Sequence, residues 1–355
     1  MKIGFIGMYY YPEKFSSRYQ ITDIINFLRE NKNEVTLIVP NPVRTLTKEE
    51  ILKYKNFEEE GIVRLWCGSN NRNSKLARIS RIFKFNSKLK KYLKNNHDFD
   101  VLIMQSNPPI FSPKVVEKCA KKYGIKTVFY VDDIFPDVMN KNGLIYSVLK
   151  KESKKTYLNA DYLVTVSEDV KNTLVEKGVK EDKITIIRPW PFDQEKCEKQ
   201  TFNFDKETFN VAYIGNIGEF QNCKYILDIS KEITNDKIMF YIIGSGREEK
   251  RIRNIIDKEN LKNVKFVDRV NEAEARVLYT QSDLNLIVLN KNVVKFATPS
   301  KTANCILSGK PCLLLCDKSE YSNELVNKYR FYFDDSFNSK KVADLINNIY
   351  ENYDI

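Results

Sequence analysis

Along the chain, short runs of apolar and β-branched residues alternate with longer stretches in which apolar residues recur at helical spacing. The helical pattern from Ile21 to Leu28 predicts an amphipathic helix after the first strand, with Ser16 or Ser17 as its N-cap. In the first half of the chain, strands are predicted at 2–7, 34–39, 100–104, 126–131, 161–166 and 184–187, and a further helix at 113–123. This alternation predicts a mostly parallel sheet with helices on both faces.

The alternation breaks once and then restarts. Arg188-Pro-Trp-Pro191 interrupts it, and the polar stretch that runs to about Asp205 predicts an interdomain linker. Beyond the linker, strands are predicted at 210–215, 238–244, 264–267, 284–288 and 311–316, before a terminal helix at 339–353.

We therefore predict an α/β fold of two doubly wound, Rossmann-like domains that face one another across a cleft. The predicted boundaries are 1–190 for the first domain, 205–338 for the second and 339–355 for a C-terminal helix. Ligands of such sheets bind beyond the carboxyl ends of the strands, so the cleft is the predicted active site.

Composition narrows the classes of function. The 355 residues suit two domains, and the net charge of +11 favours phosphorylated ligands, nucleic acid or an anionic membrane surface as partners. Seven cysteines without a CxxC pair predict a reducing, cytoplasmic compartment. The apolar start of the chain is too short for a signal peptide, and no run of about 18 apolar residues exists, so we predict that the protein does not span a membrane.

Several enzyme classes are disfavoured because their characteristic residues are missing. The chain has one histidine, His97, in a polar loop, which disfavours Ser-His-Asp and Cys-His chemistry. The sequence has no GxSxG, HExxH or GxxxxGK[ST] motif, and Gly215-x-x-Gly218 lacks the third glycine of a dinucleotide fingerprint. Hydrolases, zinc enzymes, oxidoreductases and P-loop NTPases are therefore disfavoured, and no metal is predicted.

Two kinds of segment in the second half favour phosphate binding. Pro299-Ser300-Lys301 predicts a loop and then a short helix that starts at Ser300, which would present free backbone N–H groups, a hydroxyl and an ammonium together. An ordinary helix with a serine N-cap is the alternative. Three glycine turns follow predicted strands, namely Gly215 with Gly218, Gly244 with Gly246, and Gly309. Each turn either lets a phosphate approach the backbone closely or is a plain turn between a strand and a helix. Together these segments predict a nucleotide-sugar site.

An ordered set of motifs carries a family resemblance over roughly residues 1–320. The segments are Ala212–Gln221, Ile242–Gly246, Asn263–Val267 and Thr298–Pro311 in the second half, and Tyr11–Glu13, Ser106–Pro109, Asp133–Asp137 and Val166–Glu168 in the first. They resemble the retaining GT-B glycosyltransferases of glycosyltransferase family 4. The resemblance is greatest to the branch that builds bacterial O-antigen and capsule repeat units, which includes N-acetylfucosamine transferases.

The resemblance implies a nucleotide-diphosphate sugar as substrate, expected to be a UDP-sugar, bound by the second domain without a cofactor or a metal. By position, Lys301 would be the main positive charge on the departing diphosphate, which is the chief electrostatic task of such a site. The other implied donor-binding positions are Gly215, Asn216, Gly218 and Gln221 near the diphosphate, Gly244 and Gly246 in the next turn, Pro299 and the Ser300 N–H beside Lys301, and Arg269 and Val270 at the base.

Two positions depart from the family pattern. The wider family has two glutamates eight residues apart where this chain has Phe296 and Asn304. The first glutamate is commonly absent from this branch, whereas the second usually holds the nucleotide ribose, a contact that the uncharged Asn304 would make by hydrogen bonding alone. This departure leaves open a non-catalytic GT-B homologue that binds a partner transferase or a glycan. A sugar-nucleotide epimerase is disfavoured because the sequence offers no charged acid–base groups for it.

Asp132 and Asp133 follow a predicted strand of the first domain. Adjacent residues at a strand end point in different directions, so this pair does not predict a metal site. We expect Asp133 to face the cleft and to accept a hydrogen bond from the donor or acceptor sugar. The alternative is that Asp133 caps the turn formed by 134–138.

The segment Lys75–Lys94 carries eight basic residues and no acidic one, with apolar residues at near-helical spacing. It predicts a helix that lies on an anionic bilayer and directs Arg78, Arg81, Lys84 and Lys88 to the lipid headgroups. A helix packed on its own domain with a solvated basic face is the alternative. Nucleic-acid binding is disfavoured because the segment lacks interleaved, exposed aromatic residues on which bases could stack. The expected acceptor is a lipid-linked saccharide, and the expected location is the cytoplasm, peripheral on the inner face of the cytoplasmic membrane.

Overall fold

The computed structural model describes residues 1–13, 17–43, 46–55, 58–69, 75–105, 111–139, 141, 143–191, 197–329 and 331–353. The chain divides into two units, Met1–Phe192 and Asp193–Ile355. The division falls within the stretch from Arg188 to Asp205 that the sequence marks as a linker, where the alternation of strand and helix stops.

The first unit is built on a parallel sheet of seven strands in the order β3-β2-β1-β4-β5-β6-β7. The strands are β1 (Lys2–Ile6), β2 (Glu34–Pro40), β3 (Ile62–Leu65), β4 (Val101–Gln105), β5 (Lys126–Val131), β6 (Tyr162–Thr165) and β7 (Ile184–Ile186). The hydrophobic pattern predicts all of them except β3. This edge strand has four half-buried residues, one of them Arg64, so it lacks the apolar run that marks the others.

The helices of the first unit lie on two faces of its sheet. They are α1 (Ser17–Glu30), α2 (Lys48–Lys53), α3 (Lys75–Asn95), α4 (Phe111–Tyr123), α5 (Leu144–Asn159) and α6 (Glu168–Glu176). The strand order reverses direction at β1, because β2 pairs with one side of β1 and β4 with the other. Right-handed crossovers therefore place α1 on one face of the sheet and α3, α4 and α5 on the opposite face.

The second unit has a parallel sheet of six strands in the order β10-β9-β8-β11-β12-β13. The strands are β8 (Phe209–Asn216), β9 (Ile238–Ser245), β10 (Val264–Val267), β11 (Leu284–Val288), β12 (Cys312–Leu315) and β13 (Tyr332–Asp334). The sequence predicts all but β13, which has only three residues and ends in an aspartate. The order reverses between β8 and β11, and ligands of doubly wound sheets bind at such a point.

The core of the second unit explains why its strands read as continuous apolar runs. Its helices are α7 (Cys223–Ser230), α8 (Glu249–Lys258), α9 (Glu272–Gln281), α10 (Thr302–Ser308), α11 (Glu320–Tyr329) and α12 (Ser339–Glu351). Nearly every residue of β8 and β9 is buried, since helices cover both faces of a doubly wound sheet. Four residues of α12, namely Val342, Ala343, Ile346 and Ile349, pack into the same core. The terminal helix is therefore part of the second unit.

Candidate active site

The glycine loop after β8 is held in place by the end of the neighbouring strand. The hydroxyl of Tyr213 donates a hydrogen bond to the carbonyl oxygen of Asn216 at 2.6 Å. The backbone N–H of Ile217 donates to the carbonyl oxygen of Ser245 at 3.0 Å, and that of Glu248 donates to Ile217 at 3.0 Å. These bonds fix the loop at the carboxyl edge of the second sheet, where β8 and β9 end side by side.

Gly244 and Gly246 are explained by the packing of the two strand ends. Gly244 lies opposite Gly215 in the register of β8 and β9. A Cβ atom on Gly244 would lie 1.9 Å from the carbonyl oxygen of Gly215, and one on Gly246 would lie 2.3 Å from that of Ile217. No side chain fits at either position, so these glycines permit the close approach of two backbones. This reason is independent of the phosphate approach that the sequence suggests.

Lys301 lies beneath the glycine loop. Its Nζ atom is 3.5 Å from the centroid of the Tyr213 ring, in cation–π geometry. Its Cε and Nζ atoms would be 3.4 Å from a Cβ atom on Gly215, so the absence of a side chain there keeps the space above the ammonium open. The Nζ atom is buried and has no hydrogen-bond partner among the residues that the structure describes.

Burial makes this ammonium unusually acidic. It lowers the pKa of Lys301 to about 8, while the nearby thiols of Cys223 and Cys305 act in the opposite direction. Burial also raises the pKa of Cys223 to about 11, so this thiol is neutral at pH 7 and provides no counter-charge. A buried cation without a hydrogen-bond partner is unfavourable, and such groups occur mainly where a ligand supplies the missing charge.

The predicted start of the helix beside Lys301 is wrong. α10 begins at Thr302, with Lys301 at the N-cap and no side-chain capping bond. Thr302 instead donates its hydroxyl to the carbonyl oxygen of Pro299 at 2.9 Å, and Ser300 is exposed outside the helix. Asn304 is half-buried on the first turns of α10. The short segment thus brings Lys301, rather than the Ser300 hydroxyl, to the helix start.

Two amides of the glycine loop enclose Gly218. Asn216 donates its side-chain N–H to the Oε1 atom of Gln221 at 3.4 Å. A Cβ atom on Gly218 would lie 2.6 Å from the Nδ2 atom of Asn216 and from that same Oε1 atom. Asn216 is exposed and Gln221 is half-buried, so both amides remain within reach of a ligand above the loop.

Arg269 and Val270 follow β10, whose carboxyl end lies at the same edge of the sheet as the glycine loop. Arg269 is exposed and Val270 is half-buried. Both line a surface pocket that also includes Phe202 and Phe266. A different pocket at 203–210 lies at the opposite edge, before β8 starts, and contains none of the predicted site residues.

In the first unit, the predicted Asp133 lies just beyond β5, at the carboxyl edge of its sheet. Asp133 is exposed and Asp132 is half-buried. Burial, followed by the charge of Asp133, raises the pKa of Asp132 to about 8. The hydroxyl of Tyr130, on the same strand, is buried without a hydrogen-bond partner in the described part of the chain. Burial also raises the pKa of Asp133, to about 6, so this end of β5 places two carboxyl groups of raised pKa side by side.

The basic segment forms a helix, α3, but one predicted membrane contact is wrong. Arg81 is buried, with 8% of its surface exposed, and donates a hydrogen bond to the carbonyl oxygen of Asn41. Its burial lowers the pKa of the guanidinium, although the charge of Glu13 counteracts this. Arg81 shares the inward face of α3 with Phe85 and Leu89, whereas Arg78, Lys84 and Lys88 are exposed as predicted.

Some predicted features lie outside the described residues. Ser16, one of the two predicted caps of α1, is among them, as is the Ser106–Pro109 motif. In the motif that starts at Tyr11, Glu13 is buried and accepts a hydrogen bond from the backbone N–H of Val43 at 2.9 Å.

The described residues show neither a cluster of metal ligands nor a membrane-spanning helix. They contain no group of three or more His, Cys, Asp or Glu side chains able to hold a metal ion. None of the described helices is long and apolar enough to cross a membrane.

Two family models together match the chain almost from end to end. The model of Glycosyltransferase Family 4 matches residues 19–190, and the model of Glycosyl transferases group 1 matches residues 194–354. The chain belongs to the GT-B glycosyltransferases. The glycine loop, Lys301 and the pocket at Arg269 lie in the part matched by the second model, and Asp133 lies in the part matched by the first.

Two relatives carry names of the same class. The probable glycosyltransferase WbjE of Pseudomonas aeruginosa is 23% identical over 271 residues, which cover 71% of this chain and 66% of WbjE, just under two thirds. The putative colanic acid biosynthesis glycosyl transferase WcaI of Escherichia coli is 22% identical over 333 residues, which cover 87% of this chain and 82% of WcaI.

Solved structures confirm the predicted fold. HepE of Anabaena, solved in complex with UDP, superposes with a TM-score of 0.67 over 99% of this chain and 90% of HepE, at 12% identity. At so low an identity the likeness shows the fold alone. The prediction of a GT-B architecture with two doubly wound domains is confirmed.

Proposed function

We propose that this glycosyltransferase transfers a sugar, with retention of configuration, from a UDP-sugar to a lipid-linked saccharide during assembly of a bacterial surface polysaccharide. The sugar is a hexose or an N-acetylhexosamine, as in the N-acetylfucosamine transferases that the sequence resembles. The observation that carries the proposal is the buried ammonium of Lys301, which has no hydrogen-bond partner in the described part of the chain and lies beneath the glycine loop.

A nucleoside diphosphate meets the chemical needs of this site. In the reaction, the bond between the anomeric carbon and the β-phosphate oxygen breaks, and its electron pair stays on that oxygen. The acceptor oxygen forms the new bond to the anomeric carbon, and its proton passes to the departing diphosphate. The developing negative charge needs a nearby cation, and Lys301 is placed to provide it. The phosphate in turn supplies the counter-charge that this buried ammonium lacks, so donor binding and charge pairing favour one another.

Three further observations support the donor and the pathway. HepE, which shares the fold, is known as a complex with UDP. WcaI is named for colanic acid biosynthesis, which is polysaccharide assembly. Arg269 and Val270 line a pocket at the edge of the sheet that carries the glycine loop, where a nucleotide base would lie when its diphosphate is at that loop.

The first unit is proposed to bind the acceptor. Asp133 is an exposed carboxylate at the carboxyl edge of that sheet, and a carboxylate accepts hydrogen bonds from sugar hydroxyls. A lipid-linked acceptor would bring the protein to the inner face of the cytoplasmic membrane. The exposed Arg78, Lys84 and Lys88 of α3 are suited to that surface.

A thermal-shift screen with UDP, GDP, dTDP, ADP and CMP tests the donor site. We expect UDP to raise the melting temperature of the wild-type protein, because a ligand that binds only the folded state stabilises it. The shift should disappear in Lys301→Met and persist in Lys262→Met, which removes an exposed lysine before β10, at the opposite edge of the sheet. An equal shift in all three proteins would contradict the proposed role of Lys301.

Turnover separates an enzyme from a non-catalytic homologue. With a UDP-sugar that produces a thermal shift and a membrane extract as the source of acceptor, we expect release of UDP by the wild-type protein and little by Lys301→Met. Binding without release, across the common UDP-sugars, would favour a non-catalytic GT-B protein. Asn304→Glu would then test whether the missing family glutamate is responsible.

A further inference from the structure

Three neighbouring helices of the first unit begin with unusually exposed apolar side chains. Leu144 and Ile145, at the start of α5, have 83% and 73% of their surface exposed. The others also lie in the first half of their helices, and the complete set, which we call the apolar tip, is Leu76, Ile79 and Phe83 of α3, Phe111 of α4, and Leu144, Ile145 and Val148 of α5.

Side-chain contacts place these residues at one end of the helical layer. The rings of Phe83 and Phe111 lie 5.7 Å apart, which joins α3 to α4. Lys114 of α4 pairs with Glu152 of α5, and Asn159 of α5 donates a hydrogen bond to Glu117 of α4 at 2.7 Å. The three helices therefore begin at the same end of the layer.

The offset of these pairs makes the start of α5 protrude. Lys114 is the fourth residue of α4, but its partner Glu152 is the ninth residue of α5. At a rise of about 1.5 Å per residue, α5 therefore extends roughly 7 Å beyond the first residue of α4. Leu144, Ile145 and Val148 occupy this projecting part, in keeping with their exposure.

The three helices that carry the apolar tip are strongly basic. α3 contains eight basic residues, α4 four and α5 four, whereas the only acidic residues of the three helices are Glu117 and Glu152. Both acids are engaged, since Glu117 accepts from Asn159 and Glu152 pairs with Lys114 and Lys155. An apolar projection within a cationic surface is complementary to a bilayer with anionic headgroups, into which apolar side chains insert while lysines remain at the headgroup level.

We propose that the apolar tip inserts into an anionic membrane, with the exposed basic residues of α3 lying on the headgroups. The tip lies where α4 and α5 leave the carboxyl ends of β4 and β5, which is the edge that carries Asp133. A membrane bound here places that edge near the lipid surface, where a lipid-linked acceptor presents its sugar. The proposal thus deepens the proposed function, on which its acceptor rests.

Vesicle flotation tests the proposal with the complete protein. The probe is a phosphatidylcholine vesicle with about 30% phosphatidylglycerol, compared with phosphatidylcholine alone. We expect the wild-type protein to float with the anionic vesicles, and the combined variant Phe83→Gln, Leu144→Gln and Ile145→Gln to partition at least about tenfold more weakly. These side chains are exposed, so the variant should unfold at the wild-type temperature.

Phe27→Gln is the matched control. Phe27 has 64% of its surface exposed on α1, which lies on the opposite face of the sheet, so its replacement should leave vesicle binding unchanged. Equal binding by the wild-type protein and the combined variant would overturn the proposal. The proposal would also be overturned if the wild-type protein were a dimer and the combined variant a monomer, with equal vesicle binding by both. The tip would then contact a second copy of the chain.

The outcome is independent of the donor site. Flotation needs neither nucleotide nor acceptor, so Lys301→Met should bind vesicles like the wild-type protein. The combined variant should keep the wild-type thermal shift with UDP. Loss of vesicle binding with an intact nucleotide response supports the membrane surface alone, whereas normal vesicle binding without any nucleotide response would overturn the proposed donor while leaving the membrane surface in place.

Discussion

Two buried cationic groups, one in each unit of this glycosyltransferase, differ in what surrounds them. Arg81 in the first unit donates from its Nη2 atom to the carbonyl oxygen of Asn41 and lies near the negative charge of Glu13, while its Nε atom has no hydrogen-bond partner among the described residues. Lys301 in the second unit has the face of Tyr213 and the neutral thiol of Cys223 beside it, and no hydrogen-bond partner among the described residues. A paired buried cation supports the fold, whereas an unpaired one lowers stability and is retained where a ligand needs it.

Replacing Lys301 should have the largest effect and should change activity and stability in opposite directions. Lys301→Met removes the cation that faces the diphosphate, so we expect kcat/KM for the UDP-sugar to fall by about 100-fold or more. Without nucleotide at pH 7, the free energy of unfolding should rise by about 1–2 kcal/mol, because an unfavourable buried charge is gone. Denaturant unfolding and initial rates check both. A Lys301→Met variant that is less stable and fully active would contradict the proposed difference between Lys301 and Arg81.

Replacing Arg81 should give the reverse result. Arg81→Met leaves the buried carbonyl of Asn41 without its donor, so the free energy of unfolding should fall by about 2–3 kcal/mol. The UDP affinity of the folded fraction should not change, since Arg81 lies in the first unit. Urea unfolding curves measure the free energy of unfolding, and calorimetric titration of the folded protein measures its affinity for UDP. A large loss of UDP affinity without loss of stability would show that this cation is not structural.

Variants of Tyr213 sharpen the account of Lys301. Tyr213→Leu removes the ring beneath the ammonium and the hydroxyl that holds Asn216, so UDP affinity should fall about tenfold. Tyr213→Phe keeps the ring and loses the 2.6 Å hydrogen bond to Asn216 together with the contact between the hydroxyl and the Cys223 thiol, so the loss should be about threefold. If both variants weaken UDP equally, the ring does not position the ammonium. Titration calorimetry at pH 7 distinguishes these outcomes.

The pH dependence of stability should differ between the wild-type protein and Lys301→Met. The pKa of Lys301 is lowered to about 8 in the folded protein from 10.5, so between these values the unfolded state binds more protons. The stability of the empty wild-type protein, relative to Lys301→Met, should therefore rise with pH from about 8 to about 10.5. Unfolding curves at pH 7.5 and about pH 9.5 measure the difference. A constant difference would mean that Lys301 has an ordinary pKa.

Most of the fold can be predicted from the sequence, because helices cover both faces of a doubly wound sheet and its buried strands are therefore continuous apolar runs. β3 and β13 are missed because neither contains a fully buried residue, whereas β7 and β10, edge strands of the same length, each contain one. The glycine positions are found, but the sequence cannot show that Gly244 is needed for contact with the backbone of Gly215, because that contact joins residues far apart in the chain.

The site is predicted less completely, because periodicity does not say which face of an element is covered. α3 carries one apolar stripe at Phe85, Leu89 and Leu93 that is buried, and another at Leu76, Ile79 and Phe83 that is exposed. Both stripes have helical spacing and cannot be distinguished in the sequence. The prediction that Arg81 contacts the lipid headgroups is wrong for this reason. Tyr213 is missed as a partner of Lys301, although its position two residues before Gly215 places it on the same face of β8.

The central claim is that the donor diphosphate pairs with the buried ammonium of Lys301. Calorimetry of UDP binding at pH 8, in two buffers of different ionisation enthalpy, measures this directly, because a phosphate beside the ammonium raises its pKa and draws in protons. We predict uptake of about half a proton by the wild-type protein and none by Lys301→Met, which should also bind UDP far more weakly. Equal affinity and equal proton uptake in the two proteins would contradict the account.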